Sequence, residues 1–195
     1  MATHMESKDI NAKQVVPYQS IRGTLRSGDL LFASGEYLVS KAIRKATRSP
    51  WSHVGIVFKL KDVNRVLLLE SVESMGVRFV PLSKYILNYR NRKPYKGTVV
   101  LGRCSSTTNE VVVGLAKFGI DELTRPYDKD EIAKILARII IGEGKRERDR
   151  EYICSELVYE CYANVGVKFD YDRRGFVSPE NIWTSDKVSY VCRVL

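Results

Sequence analysis

Three side chains, distant in the sequence, have the types needed for nucleophilic chemistry: Cys154, His53 and Glu70. Cys154 stands in Tyr152-Ile153-Cys154-Ser155-Glu156-Leu157, where an extended segment runs into a periodic helix. A thiol at a helix N-terminus meets unpaired backbone N–H groups and the positive end of the helix dipole, which favour a thiolate. The same N–H groups could hold an oxyanion formed on attack. On position alone, the residue could equally be a small buried hydrophobe. Cys161 lies seven residues further on, about 10 Å down the same helix, and reads as core filler. Cys104 and Cys192 lie at strand ends and read the same way.

His53 is the candidate base. It opens an extended run, HVGIVFKL, after the loop Ser49-Pro50-Trp51-Ser52, and His4 falls in the first residues, Met1 to His4, which read as a cloning scar. A second run, RVLLLESV from Arg65, follows the turn-rich Lys61-Asp62-Val63-Asn64, so the two form a hairpin. With a two- or six-residue loop, Glu70 lies directly opposite His53 and could orient the imidazole. A one-residue slip would bring Ser71 there instead. Alternatively, Glu70 points outward into solvent.

The elements that must position these residues follow from pattern. Ser27-Gly28-Asp29 turns the chain into a short buried strand. Further strands are expected over 75–80, 97–103 and 188–194. Helical spacing is expected over 36–47, from Pro81, over 108–120, from Asp128 or Asp130 through Ile139, over 155–165, and from the Ser178 cap. Residues 142–151 form a charge-dense loop. An antiparallel sheet packed against helices, an α+β fold, accounts for this order.

The 195 residues suit one domain: 1–20 as scar and polar extension, 21–195 as the folded unit. Four scattered cysteines, without a secretory signal or a Cys-x-x-Cys, exclude a disulfide scaffold and a zinc site, and suggest a reducing cytoplasm. No apolar run approaches the roughly 18 residues that span a bilayer. The net charge of +9 allows an anionic membrane surface as a partner. Without a recognisable motif it does not support specific nucleic-acid binding.

Arg26-Ser27-Gly28-Asp29-Leu30-Leu31-Phe32, Trp51-Ser52-His53-Val54-Gly55-Ile56-Val57, Leu69-Glu70-Ser71, Pro126-Tyr127-Asp128 and Tyr152-Ile153-Cys154-Ser155-Glu156-Leu157-Val158 together resemble the NlpC-type papain-fold superfamily. More narrowly they resemble its circularly permuted branch of YiiX and YebB type, with poxvirus relatives, in which the histidine strand precedes the cysteine helix. The match runs from about Leu25 to Trp183. The resemblance implies a permuted papain-like fold, with Cys154 as nucleophile, His53 as base and Glu70 as orienting residue. It makes Tyr152, Ser155, Asp29 and Trp51 candidates for contacts to substrate or oxyanion. The implied chemistry is a cysteine peptidase or amidase reaction through an acyl-enzyme, needing no cofactor and no metal. Its substrate would be a small peptide, an amino-acid amide or an N-acyl lipid. The alternatives are a lipid or amine acyltransferase of the same fold, and a non-catalytic binding module.

Overall fold

The computed structural model describes residues 5–35, 40, 41, 44, 45, 48–73, 75–89, 92–127, 153–171 and 176–195. After a 3₁₀ segment (Ser7–Ala12), the elements are α1 (Tyr18–Ile21), β1 (Asp29–Gly35), β2 (His53–Leu60), β3 (Arg65–Val72), β4 (Gly76–Pro81), α2 (Leu82–Leu87), β5 (Gly97–Cys104), α3 (Asn109–Asp121), α4 (Cys154–Asn164), α5 (Pro179–Trp183) and β6 (Val188–Arg193). The strands form one six-stranded sheet in the order β4-β3-β2-β1-β5-β6. Every neighbouring pair in it is antiparallel. The α+β expectation holds. The helices expected over 36–47 and from 128 onward, and the loop 142–151, lie wholly or largely outside the described residues.

Apolar side chains cover both faces of the sheet, so the strands read as nearly continuous hydrophobic runs. Leu30, Phe32, Val54, Ile56 and Leu69 pack on one face against Leu157, Val158 and Cys161 of α4. Leu31, Ala33, Val57, Leu68 and Val80 pack on the other face against Tyr18, Leu82 and Tyr85. Alternation along β2 therefore places His53 on the face opposite α4.

The chain enters β1 through the expected turn. Gly28 has φ +87°, and a Cβ there would lie 2.4 Å from Thr107 Cγ2. Asp29 Oδ2 accepts the Arg26 N–H at 2.8 Å, closing the turn. The Arg103 guanidinium on β5 donates to both Asp29 oxygens, at 2.7 and 2.8 Å.

The hairpin register differs from the expected one. Ile56 faces Leu69 and Leu60 faces Arg65, so the loop has four residues, Lys61 to Asn64. Asn64 closes it at φ 48°, a left-handed conformation that asparagine tolerates. Glu70 is consequently displaced by two residues from direct opposition to His53. A shift of two preserves the side-chain face, whereas a shift of one would have reversed it.

The N-terminal segment packs onto the sheet from Met5 onward. The Trp183 indole N–H donates to the Met5 carbonyl at 2.8 Å, Ser7 Oγ donates to Glu180 at 2.9 Å, and Ile10 is buried.

Candidate active site

Cys154 is the first residue of α4, one position before the helix start expected from periodicity. Ile153 precedes it in extended conformation, and Glu156 accepts the Ile153 N–H at 3.3 Å, so the entry is held by a carboxylate in the first turn. The amides of Cys154 and Ser155 fall among the first-turn N–H groups that have no carbonyl partner within a helix. Cys154 Sγ is buried, 4.0 Å from the carbonyl oxygen of Ser52, the residue just before β2. Helix α4 packs on one face of the sheet and His53 projects from the other. Thiol and imidazole therefore meet around the end of the sheet, where β2 begins.

His53 Nε2 lies 2.8 Å from Glu70 Oε2. The Cys154 thiol lies within electrostatic reach of the ring, and Nδ1 is the nitrogen that Glu70 does not engage. Burial alone would lower the imidazole pKa. The hydrogen bonds and charges of Cys154 and Glu70 outweigh it and raise the pKa from 6.5 to about 10. The ring is thus held in its protonated form beside the sulfur.

Glu70 is fully buried and all its lone-pair directions are used. Oε1 accepts from Arg78 Nε at 2.8 Å and Nη2 at 2.7 Å, while Oε2 accepts from the Tyr85 hydroxyl as well as the imidazole. Burial pushes its pKa up, but these partners outweigh that and lower it overall. Tyr85 is raised well above the ordinary phenol value by burial and by the Glu70 charge, so it stays a donor. Its ring lies nearly parallel to the His53 ring, 11° apart in plane with centroids at 6.3 Å.

The two-residue displacement of the hairpin has a use here. Continuing the register from Ile56 and Leu69 sets Gly55 opposite Glu70, and no side chain stands between the carboxylate and the diagonal His53. Close packing explains the glycine independently, since a Cβ at Gly55 would lie 2.8 Å from the Leu69 carbonyl oxygen.

The other residues singled out from sequence have different surroundings. Ser155 is buried beside Cys154, and its Oγ has no hydrogen-bond partner among the described residues. Asp29 is bound to Arg26 and Arg103, and its hydrogen bonds do not reach Cys154, His53 or Glu70. Trp51 is fully buried, packed on Phe32 at 5.7 Å and on Trp183 at 5.2 Å between ring centroids. Tyr152 lies outside the described residues. Cys104, Cys161 and Cys192 are free and buried.

Arg78 and Tyr85 escaped sequence reasoning. Arg78 could have been found by extending the strand alternation into β4, where it is the direct partner of Glu70. Nothing in the sequence marks Tyr85, because its reach depends on how α2 docks on the sheet.

The family model of the permuted papain-like amidase enzymes, YaeF/YiiX, C92 family, matches residues 24–176. A crystal structure of yiiX from Escherichia coli O157:H7, described as a metalloprotein, is 20% identical with a TM-score of 0.64, covering 86% of this chain and 97% of that one. That likeness is one of fold. No curated protein matches the chain. Among the described residues, no helix is long and apolar enough to cross a membrane.

Proposed function

Because the chain belongs to the permuted papain-like amidase family, YaeF/YiiX, C92, we propose that it is a cysteine hydrolase cleaving an amide bond, peptide or N-acyl, with Cys154 as nucleophile, His53 as acid and base, and Glu70 as the residue that orients His53. The observation that carries this reading is the Cys154 thiol at the first position of α4, within electrostatic reach of an imidazole whose Nε2 is held by a buried carboxylate.

The thiolate of Cys154 adds to the carbonyl carbon, and the developing oxyanion is stabilised by amides of the α4 N-terminus. The C–N bond then breaks as the His53 imidazolium gives its proton to the departing amine, leaving a thioester on Cys154. Neutral His53 next takes a proton from water. The resulting hydroxide attacks the thioester, and the sulfur leaves as thiolate with the acid product. Throughout, Glu70 holds the ring and balances the imidazolium charge, while Arg78 and Tyr85 hold Glu70.

The site does not suit a divalent cation, although the yiiX relative is described as a metalloprotein. Both oxygens of Glu70 are already occupied, two of their donors belonging to the Arg78 cation. Among the described residues, no three His, Cys, Asp or Glu gather as a ligand set. No step is therefore routed through a metal.

The test is acyl-enzyme trapping. A panel of N-acyl amino-acid esters and amides is incubated with the protein, quenched in acid and read by mass spectrometry. The expected result is an acyl mass on the Cys154 peptide that is absent in Cys154→Ala. A panel with no adduct and no hydrolysis above the Cys154→Ala background would reject the hydrolase reading.

A further inference from the structure

A cavity of about 400 Å³ lies beside Trp51, lined also by Ser7, Asn11, Ser34, Lys41, Arg44 and Thr98 among others. It adjoins the end of the sheet where the candidate site sits: Ala33 pairs with His53, and the next residue, Ser34, pairs with Thr98.

Two observations about this cavity are independent of the Cys154 chemistry. The first is its sign. Among the described residues, two cations line it, Lys41 and Arg44, and no Asp or Glu does. The nearby Glu180 carboxylate is engaged by Ser7 Oγ at 2.9 Å and Ser49 Oγ at 2.7 Å. The second is a deficit of acceptors. The Trp51 indole N–H and the Arg44 Nε–H are both buried, and neither has a hydrogen-bond partner among the described residues. Buried donors without partners cost free energy unless something outside the chain accepts from them. Arg44 is anchored on the sheet by Nη1, which donates to Ser34 Oγ at 3.1 Å.

We propose that this cavity binds a small oxyanion, a carboxylate or phosphate group, through the Arg44 guanidinium, the Trp51 indole N–H and the Lys41 ammonium. An anionic oxygen supplies the acceptor that both buried donors lack and neutralises the charge of the lining. The group is either a substituent of the substrate or a free anion. Both share this chemistry.

The experiment is calorimetric titration of the full chain with inorganic phosphate and with acetate, at several sodium chloride concentrations. The expected result is saturable binding of one of the two at a single site, weakened by salt. Arg44→Gln is expected to weaken it at least tenfold, on the order of losing one charge-assisted hydrogen bond. Trp51→Phe, which keeps a ring and removes the N–H, is expected to weaken it severalfold. Because Trp51 is in the core, Arg44→Gln is the deciding variant. The proposal is overturned if wild type binds neither anion, or if Arg44→Gln binds as wild type does. A second arm identifies the source. Protection of Cys154 from iodoacetamide by the bound anion supports the site as a holder for an acidic group of the substrate. Binding that leaves labelling unchanged supports it as a site for a free anion. Neither arm requires turnover, so failure of the hydrolase reading and failure of this one are separable.

Discussion

Glu70 and Arg78 are direct partners across β3 and β4, and the guanidinium contacts a single carboxylate oxygen through two nitrogens, at 2.8 and 2.7 Å. The second oxygen is thereby left to His53 and Tyr85. A cation that keeps to one edge of the carboxylate allows a buried acid to be both compensated and available to the imidazole. The arrangement has energetic consequences, because a buried carboxylate that loses its counterion retains its desolvation penalty.

Arg78→Met is therefore expected to destabilise the fold by about 3 kcal/mol, the order measured when one partner of a buried ion pair is removed. Urea unfolding at pH 7 checks the magnitude. Glu70→Gln/Arg78→Met should cost less than the sum of the single variants, and a double-mutant cycle reads that coupling.

Tyr85→Phe keeps the ring beside His53 and removes one donor to Glu70. The expected cost is about 2 kcal/mol, in the range for hydrogen bonds to charged groups, visible as a lowered urea midpoint. If the variant is as stable as wild type, the hydroxyl is not holding the carboxylate.

Thiol labelling should discriminate sharply among the four cysteines. Burial raises the Cys104 thiol, raises Cys192 to about 11 and raises Cys161 further still. None of these has a cationic imidazole beside it. Near pH 6.5, Cys154 should react with iodoacetamide at least tenfold faster than the other three, read site by site by mass spectrometry. In His53→Ala that advantage should disappear.

Stability should depend on pH through the same pair. The His53 pKa is raised in the folded protein, so its contribution is fully present below the unfolded value of about 6.5. It is lost as pH rises toward the folded value of about 10. Glu70 is lowered, so its contribution is present above the ordinary carboxylate range and lost as pH falls through the folded value. The stability gap between wild type and His53→Ala, from urea midpoints at pH 6, 8 and 10, should be largest at pH 6 and smallest at pH 10. A gap that widened with pH would contradict the imidazolium assignment.

Gly55→Ala tests the close approach of β2 and β3. The added methyl would lie 2.8 Å from the Leu69 carbonyl oxygen and 2.9 Å from Leu68 Cδ1. Overpacking of this kind costs about 1–3 kcal/mol. Thermal melting would show the loss.

The sequence by itself determined the local terms: which runs are strands and that Cys154 stands at the entry of a helix; it offered a shared face for His53 and Glu70 as one of the possible hairpin registers. The tertiary register decided that last point: side chains alternate with a period of two, so the actual four-residue hairpin loop, displaced by two residues from the expected register, left the face unchanged where a displacement of one would have reversed it. Turn chemistry was local, as with Ser178 capping α5 and Thr108 capping α3. Tertiary structure alone decided what surrounds the acid. Tyr85 reaches Glu70 because α2 docks against β3 and β4, and Arg78 does so because β4 pairs in one register out of several that composition permits. It also decided that the thiol meets the imidazole around the end of the sheet, and that Arg44 and Trp51 share one cavity. These relationships join residues far apart in the chain. Their geometry comes from how distant apolar faces pack together, and local pattern carries no record of it.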